Sequence, residues 1–159
     1  MGKRKNSYDK FWLDSDMSNM GHMFEYCDQF ALRNYGVRNF DKLKFINDFM
    51  NSPIRKKMEL GHPRLISQAA EDTFILYIDV DLKRNISRYN LGEQKPQRFR
   101  QDELYWVGWF YAYAHYRADM KSCDLIKKLP LNFMLRQYHL GHEMGVDVFY
   151  DKIKEALNK

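Results

Sequence analysis

The sequence predicts an all-α fold, a single compact bundle of about seven helices in which a basic loop over residues 83–100 separates an N-terminal from a C-terminal helical cluster. Three observations carry that expectation. Apolar residues recur at three- and four-residue steps through most of the chain, the period of a helix with one buried stripe. Ser-Pro, Gly and Gly-His-Pro signals stand where those stripes stop and start. The 159 residues, 45% hydrophobic and 16% aromatic, suffice for one domain with a core of its own.

Taken in order, residues 1–17 read as a flexible tail. From Asn19 the positions Met20, Met23, Phe24, Cys27, Phe30, Ala31 and Tyr35 form a stripe, with Ser18 or Asn19 as cap and Gly36 as stop. Phe40, Leu43, Ile46, Phe49 and Met50 repeat the pattern. Ser52-Pro53 then supplies the cap and first position of a short helix, which Gly61-His62-Pro63 closes. Ile66, Ala69, Ala70, Thr73, Phe74, Tyr77 and Ile78 predict one further helix, fraying toward Ile86. A strand over Phe74 to Val80 is the competing reading, set aside because the helical period extends upstream.

The segment Glu103 to Tyr116 has no polar face, so it predicts a helix that is central to the bundle or presents an aromatic face to a partner. Trp109 and Phe110 are expected in the core and Trp106 or Tyr113 nearer the surface. Gly108 would let a neighbouring helix approach closely. Ser122 caps Cys123 to Leu129, Pro130 opens a helix carrying Phe133, Met134 and Tyr138, and Val146 to Leu157 forms the last amphipathic helix.

Charge is unevenly placed. The net +5 arises within residues 83–100, which hold six basic side chains and one acid and leave 20 of each sign elsewhere. That segment is expected as an exposed loop: a solvated linker, or a patch for an acidic surface or a phosphate backbone, with Tyr89 and Phe99 as stacking groups. The greasiest stretch, Leu104 to Ala114, is about eleven residues long, short of the eighteen or so of a membrane span, so no membrane association is expected. No signal-peptide or myristoylation pattern opens the chain, and a cytoplasmic location is the default expectation.

Few residues carry a chemical signature. Cys27 and Cys123 lie among apolar neighbours at helical spacing and read as reduced, buried thiols. His139-Leu140-Gly141-His142-Glu143 holds metal-ligand types, but its histidines are three apart rather than the four that put two imidazoles on one zinc, and Gly141 places them in a loop. A metal-dependent enzyme using His139, His142 and Glu143 is therefore a minority reading. Glu71, Asp72, Asp79 and Asp81 are read as surface carboxylates rather than an acid–base pair, and His115 as a core histidine. With no nucleophile elbow, neither catalysis nor a cofactor is expected.

Two stretches resemble a known group. Glu-Leu-Tyr-Trp-x-Gly-Trp-x-Tyr-Ala-Tyr from Glu103, Ser-x-x-x-Ile-x-Lys-x-Pro-Leu-x-x-Met from Ser122, then Tyr138-His139, together with Ala70 to Phe74, are similar to small bacterial antitoxins of toxin–antitoxin pairs. The resemblance covers roughly a third of the chain. It implies a non-catalytic protein that binds and neutralises a partner toxin and brings no catalytic residue. The residues expected to meet the partner are Arg84, Arg88, Arg98 and Arg100 of the basic loop with Trp106 and Tyr113 of the aromatic helix, since Arg, Trp and Tyr are favoured interface anchors. Nucleic-acid binding through the basic loop is the alternative, and homo-oligomerisation is left open.

Overall fold

In a computed structural model that describes residues 7–158, the described chain is helical with no β-strand; a lone bridge pairs Phe40 with Asn90. Helix α1, Leu13–Tyr35, is the longest, preceded by a 3-10 turn over Lys10–Trp12. It ends where Gly36 turns left-handed at φ 73° and donates its N–H to the Leu32 carbonyl. The helix thus starts six residues before its expected beginning, and the flexible tail expected over residues 1–17 is corrected across 7–17. Asp16 and Tyr8 are the reason. Both are buried, and the Tyr8 hydroxyl donates to Asp16 at 2.6 Å. A buried acid interrupts the apolar stripe and hides the first turns of the helix from a periodicity argument.

Helix α2, Lys42–Met50, begins where the Asp41 carboxylate accepts from the Lys44 N–H. Ser52 caps α3, Pro53–Glu59, accepting from the Arg55 N–H at 3.1 Å with Pro53 at the first position, as the sequence predicts. The helix expected onward from Ile66 is broken: α4 is a single turn, Pro63–Ile66, and α5, Ala70–Leu76, widens into a π-helical turn over Tyr77–Asp81. That widening still seats Tyr77 and Ile78 in the core.

The basic segment is no free loop. Ile86 and Tyr89 are buried on a 3-10 turn, and the chain from Tyr89 onward is sewn to the α1–α2 connection. The Asp41 N–H donates to the Tyr89 carbonyl at 2.7 Å and the Leu91 N–H to the Asn39 carbonyl at 2.8 Å. The Asn39 amide reaches the Gly92 and Gln94 carbonyls, and Gln97 bridges Lys42 and Asp41. Residues 83–100 are a strap laid over the N-terminal half.

Helix α6, Glu103–Ala118, runs through the middle of the protein against α1, with α7, Ser122–Lys128, α8, Leu131–Gly141, and α9, Val146–Ile153, packed around it. The crossing of α1 and α6 needs glycine: a β-carbon at Gly108 would stand 2.4 Å from the Met20 carbonyl oxygen, and one at Gly21 2.8 Å from the Tyr105 ring. The aromatic helix is central, and the two expected clusters are one body joined across this crossing. The expected order of exposure on α6 is reversed for tryptophan. Trp106 is 6% exposed between Phe110, Tyr138 and Phe149, and Tyr113, 9% exposed, lies against Tyr150, whereas Trp109 is only partly buried.

Candidate functional site

Two polar features stand out, one sealed and one open. The sealed one lies where α1, α3, α6 and α7 meet. Arg55 on α3, with no exposed surface, makes a two-pronged pair with Asp16 on α1 at 2.7 and 2.9 Å. Its Nε donates to the Ser122 hydroxyl at 3.1 Å. Glu59, one turn on, accepts from the Ser122 N–H and hydroxyl, and His115 Nδ1, hydrogen-bonded to the Met120 carbonyl at 2.7 Å, lies 2.9 Å from the Glu59 carboxylate. Burial pushes the Asp16 carboxyl up, but the Arg55 guanidinium and the hydrogen bonds from Arg55 and Tyr8 outweigh it and hold the group below its ordinary range. Ser122, expected as a helix cap, is instead the first residue of α7 and is spent on this network. Every member is closed off from solvent, so the network holds four helices together rather than meeting a ligand.

The open feature is a cleft of about 510 Å³ between α1, the start of α6 and the end of α8. Each wall is a helix face at helical spacing: His22, Glu25 and Tyr26 from α1, Asp102, Tyr105, Trp106 and Trp109 from α6 and the residue before it, Tyr138 and His142 from α8 and the residue after it. The aromatic side chains are held in place. The His22 ring meets Tyr105 edge-on at 5.1 Å, and His142 stacks on Tyr138 at 4.3 Å with its Nδ1 against the Tyr138 carbonyl. The Tyr138 hydroxyl donates to the Gln101 carbonyl at 2.7 Å, which ties α8 to the end of the strap.

Two carboxyl groups meet in this cleft. Asp102 occupies the position before α6 in a left-handed conformation, φ 63°, and makes no cap bond with its side chain. Its carboxyl instead lines the same cleft as Glu25 on α1, and both border the hollow beside it. Partial burial first, then the charge and hydrogen bond of Asp102, push the Glu25 carboxyl above its ordinary value against the weaker opposing pull of Lys42 and His22. Lys42 is committed elsewhere: its ammonium donates to the Glu25 main-chain carbonyl at 2.5 Å and to Asp28 at 3.2 Å. A smaller hollow of about 350 Å³ continues from the same Glu25, Tyr26 and Asp102 toward Lys42 and Phe99.

No protein-family model, curated protein or solved structure matches this chain.

The residues singled out in the sequence fall in several places. Arg84 pairs with Asp79 at 3.0 Å and lies over the Tyr35 ring, Arg88 pairs with Asp48 at 3.0 Å, and Arg100 lies 3.6 Å from Glu103. Arg98 is exposed on the strap. Tyr89, expected as a stacking group, is fully buried, its hydroxyl between Tyr77 and Asp48. Phe99 packs against the core beneath Lys42. Trp106 lines the floor of the cleft, and Tyr113 lies outside it under Arg117. His139 is exposed in the last turn of α8 rather than in a loop, while His142 Nε2 comes within 4.0 Å of Glu143. Among the described residues no three His, Cys, Asp or Glu side chains gather as a metal site would require. Glu71 takes a two-pronged bond from Arg33, and Asp81 accepts from the Ile54 N–H. Cys27 is buried, its thiol pushed up by that burial, and Cys123 is half-buried.

His22, Glu25, Tyr26 and Asp102 escape the sequence reading, because α1 is read only for its apolar stripe. Their signal is the spacing of 22, 25 and 26 beside that stripe, which sets one imidazole, one carboxylate and one phenol on a shared face.

Proposed function

We propose that the chain is a non-catalytic protein-binding module of the antitoxin kind, and that it grips its partner toxin through the cleft between α1, α6 and α8. The observation that carries this reading is the set of Tyr26, 38% exposed, and half-buried Tyr105 and Trp109 around the Glu25–Asp102 pair. Large aromatics fixed on helices lose little conformational entropy on binding and are the commonest anchors of protein interfaces. The resemblance along α6 to α8 supports the kind of partner, since the same stretch builds two of the cleft's three walls.

The nucleic-acid alternative has less support. Arg84, Arg88 and Arg100 already have acidic neighbours, and the two aromatics that would stack on bases are packed into the protein.

The test is co-expression with the product of the adjacent reading frame. That product alone should arrest growth, the wild-type chain should restore it, and Trp109→Ala with Tyr26→Ala should not, at unchanged abundance and with the variant still folded at the growth temperature. Full rescue by the double variant, or no arrest, overturns the reading.

A further inference from the structure

Resting on the proposed function, we infer that the cleft is a guanidinium receptor: it takes an arginine side chain of the partner, stacked on Trp109 and Tyr26 with its N–H edge on Glu25 and Asp102.

Two carboxyl groups brought together by separate elements repel unless a proton or a cation lies between them. Glu25 and Asp102 both line the cleft and the hollow beside it, with Asp102 held in a left-handed conformation and making no cap bond with its side chain. Lys42, a cation of the adjoining hollow, bonds the Glu25 main chain and Asp28. The same cleft is lined by aromatic side chains, Tyr26 from α1 and Tyr105 and Trp109 from α6. A ligand that suits both surfaces is flat, positively charged and rich in edge donors. A guanidinium meets all three demands, because it stacks on a ring while its N–H fork meets carboxylates, whereas an ammonium is compact, strongly hydrated and has no face to stack.

The protein uses the same chemistry on itself. Arg117 lies 4.5 Å over the Tyr150 ring while approaching Asp151, and Arg55 forks onto Asp16. At about 510 Å³ the cleft also has room for the arginine stem and the backbone that carries it.

The test is calorimetric titration of the full chain with N-acetyl-arginine-N-methylamide, alongside the citrulline and lysine counterparts, which remove the charge and the planar fork respectively. The arginine derivative should bind saturably in the millimolar range, with the other two weaker by about ten-fold or more, as loss of a charge-assisted fork implies. Glu25→Gln and Asp102→Asn keep the shapes, and Asn suits a left-handed position, so both variants should fold and lose the preference for arginine over citrulline. Absence of arginine binding, equal binding of the citrulline derivative, or equal binding of the lysine derivative overturns the proposal. Its failure is distinguishable from that of the parent reading. If arginine does not bind but Trp109→Ala with Tyr26→Ala still abolishes rescue, the cleft docks a partner by other chemistry; if arginine binds and rescue is untouched, the partner sits elsewhere.

Discussion

Gly108 lies so close to the Met20 carbonyl that a β-carbon added there would stand 2.4 Å from that oxygen. This single approach sets how closely the two longest helices cross, and the cleft opens along the same pair of helices. Gly108→Ala would gain up to about 1 kcal/mol in helix propensity, yet the clash is with backbone that cannot rotate away. We expect a net loss of about 1–3 kcal/mol from overpacking, measured by urea unfolding. An unchanged midpoint would refute the close crossing.

Burial assigns different roles to the neighbouring aromatics of α6. Trp106→Ala and Phe110→Ala should each cost about 3–5 kcal/mol, as truncations of buried large rings do. Trp109→Ala should cost about 1 kcal/mol and leave a folded protein. Thermal melts of the three variants decide it, and equal losses for Trp106 and Trp109 would contradict the assignment.

The sealed network predicts a strong dependence on Arg55. Arg55→Met leaves Asp16 and Glu59 buried without their guanidinium and should destabilise by about 3–5 kcal/mol. The depressed Asp16 carboxyl adds a sign. A group held below its unfolded value stabilises the fold above that value, about pH 3.9, and the contribution is lost as pH falls through the folded value. Stability should therefore drop on acidification below about pH 4, and the Arg55→Met curve should be flatter there. Parallel curves for the two proteins would count against the pairing.

Glu25 has the opposite sign. Its carboxyl is raised, so its contribution is fully present below the unfolded value near pH 4.3 and is lost as pH climbs through the folded value. Glu25→Gln removes that loss. The stability of the variant relative to wild type should rise from about pH 4 to pH 7, read from denaturant midpoints at each pH. A difference that stays flat or falls would show that burial and the Asp102 charge do not raise the Glu25 carboxyl.

Much of the architecture is legible in the sequence because it rests on apolar spacing. The Ser52-Pro53 start, the Gly36 stop, the all-apolar α6 and the close approach at Gly108 each follow from residues acting locally. The departures arise where a side chain answers to a distant partner. Asp16 falls within the stretch read as a flexible tail and is buried because Arg55, 39 positions on, neutralises it. The strap reads as a loop because it has no periodicity, yet Tyr89 anchors it and Asn39, Asp41 and Gln97 fasten it. Glu25 and Asp102 are 77 positions apart in sequence, and nothing at either position announces the other.

The central claim is that the cleft, not the basic strap, is where this protein recognises its ligand. The most direct test follows the three tryptophan indole N–H resonances during titration with N-acetyl-arginine-N-methylamide. Trp106 and Trp109 line the cleft, while Trp12 lies ten residues before His22 at the far end of α1. The account predicts that the Trp109 resonance shifts saturably, that Trp106 follows, and that Trp12 and the backbone amides of residues 83–96 stay still. Shifts confined to the strap, or no movement at Trp109 at saturating ligand, would contradict it.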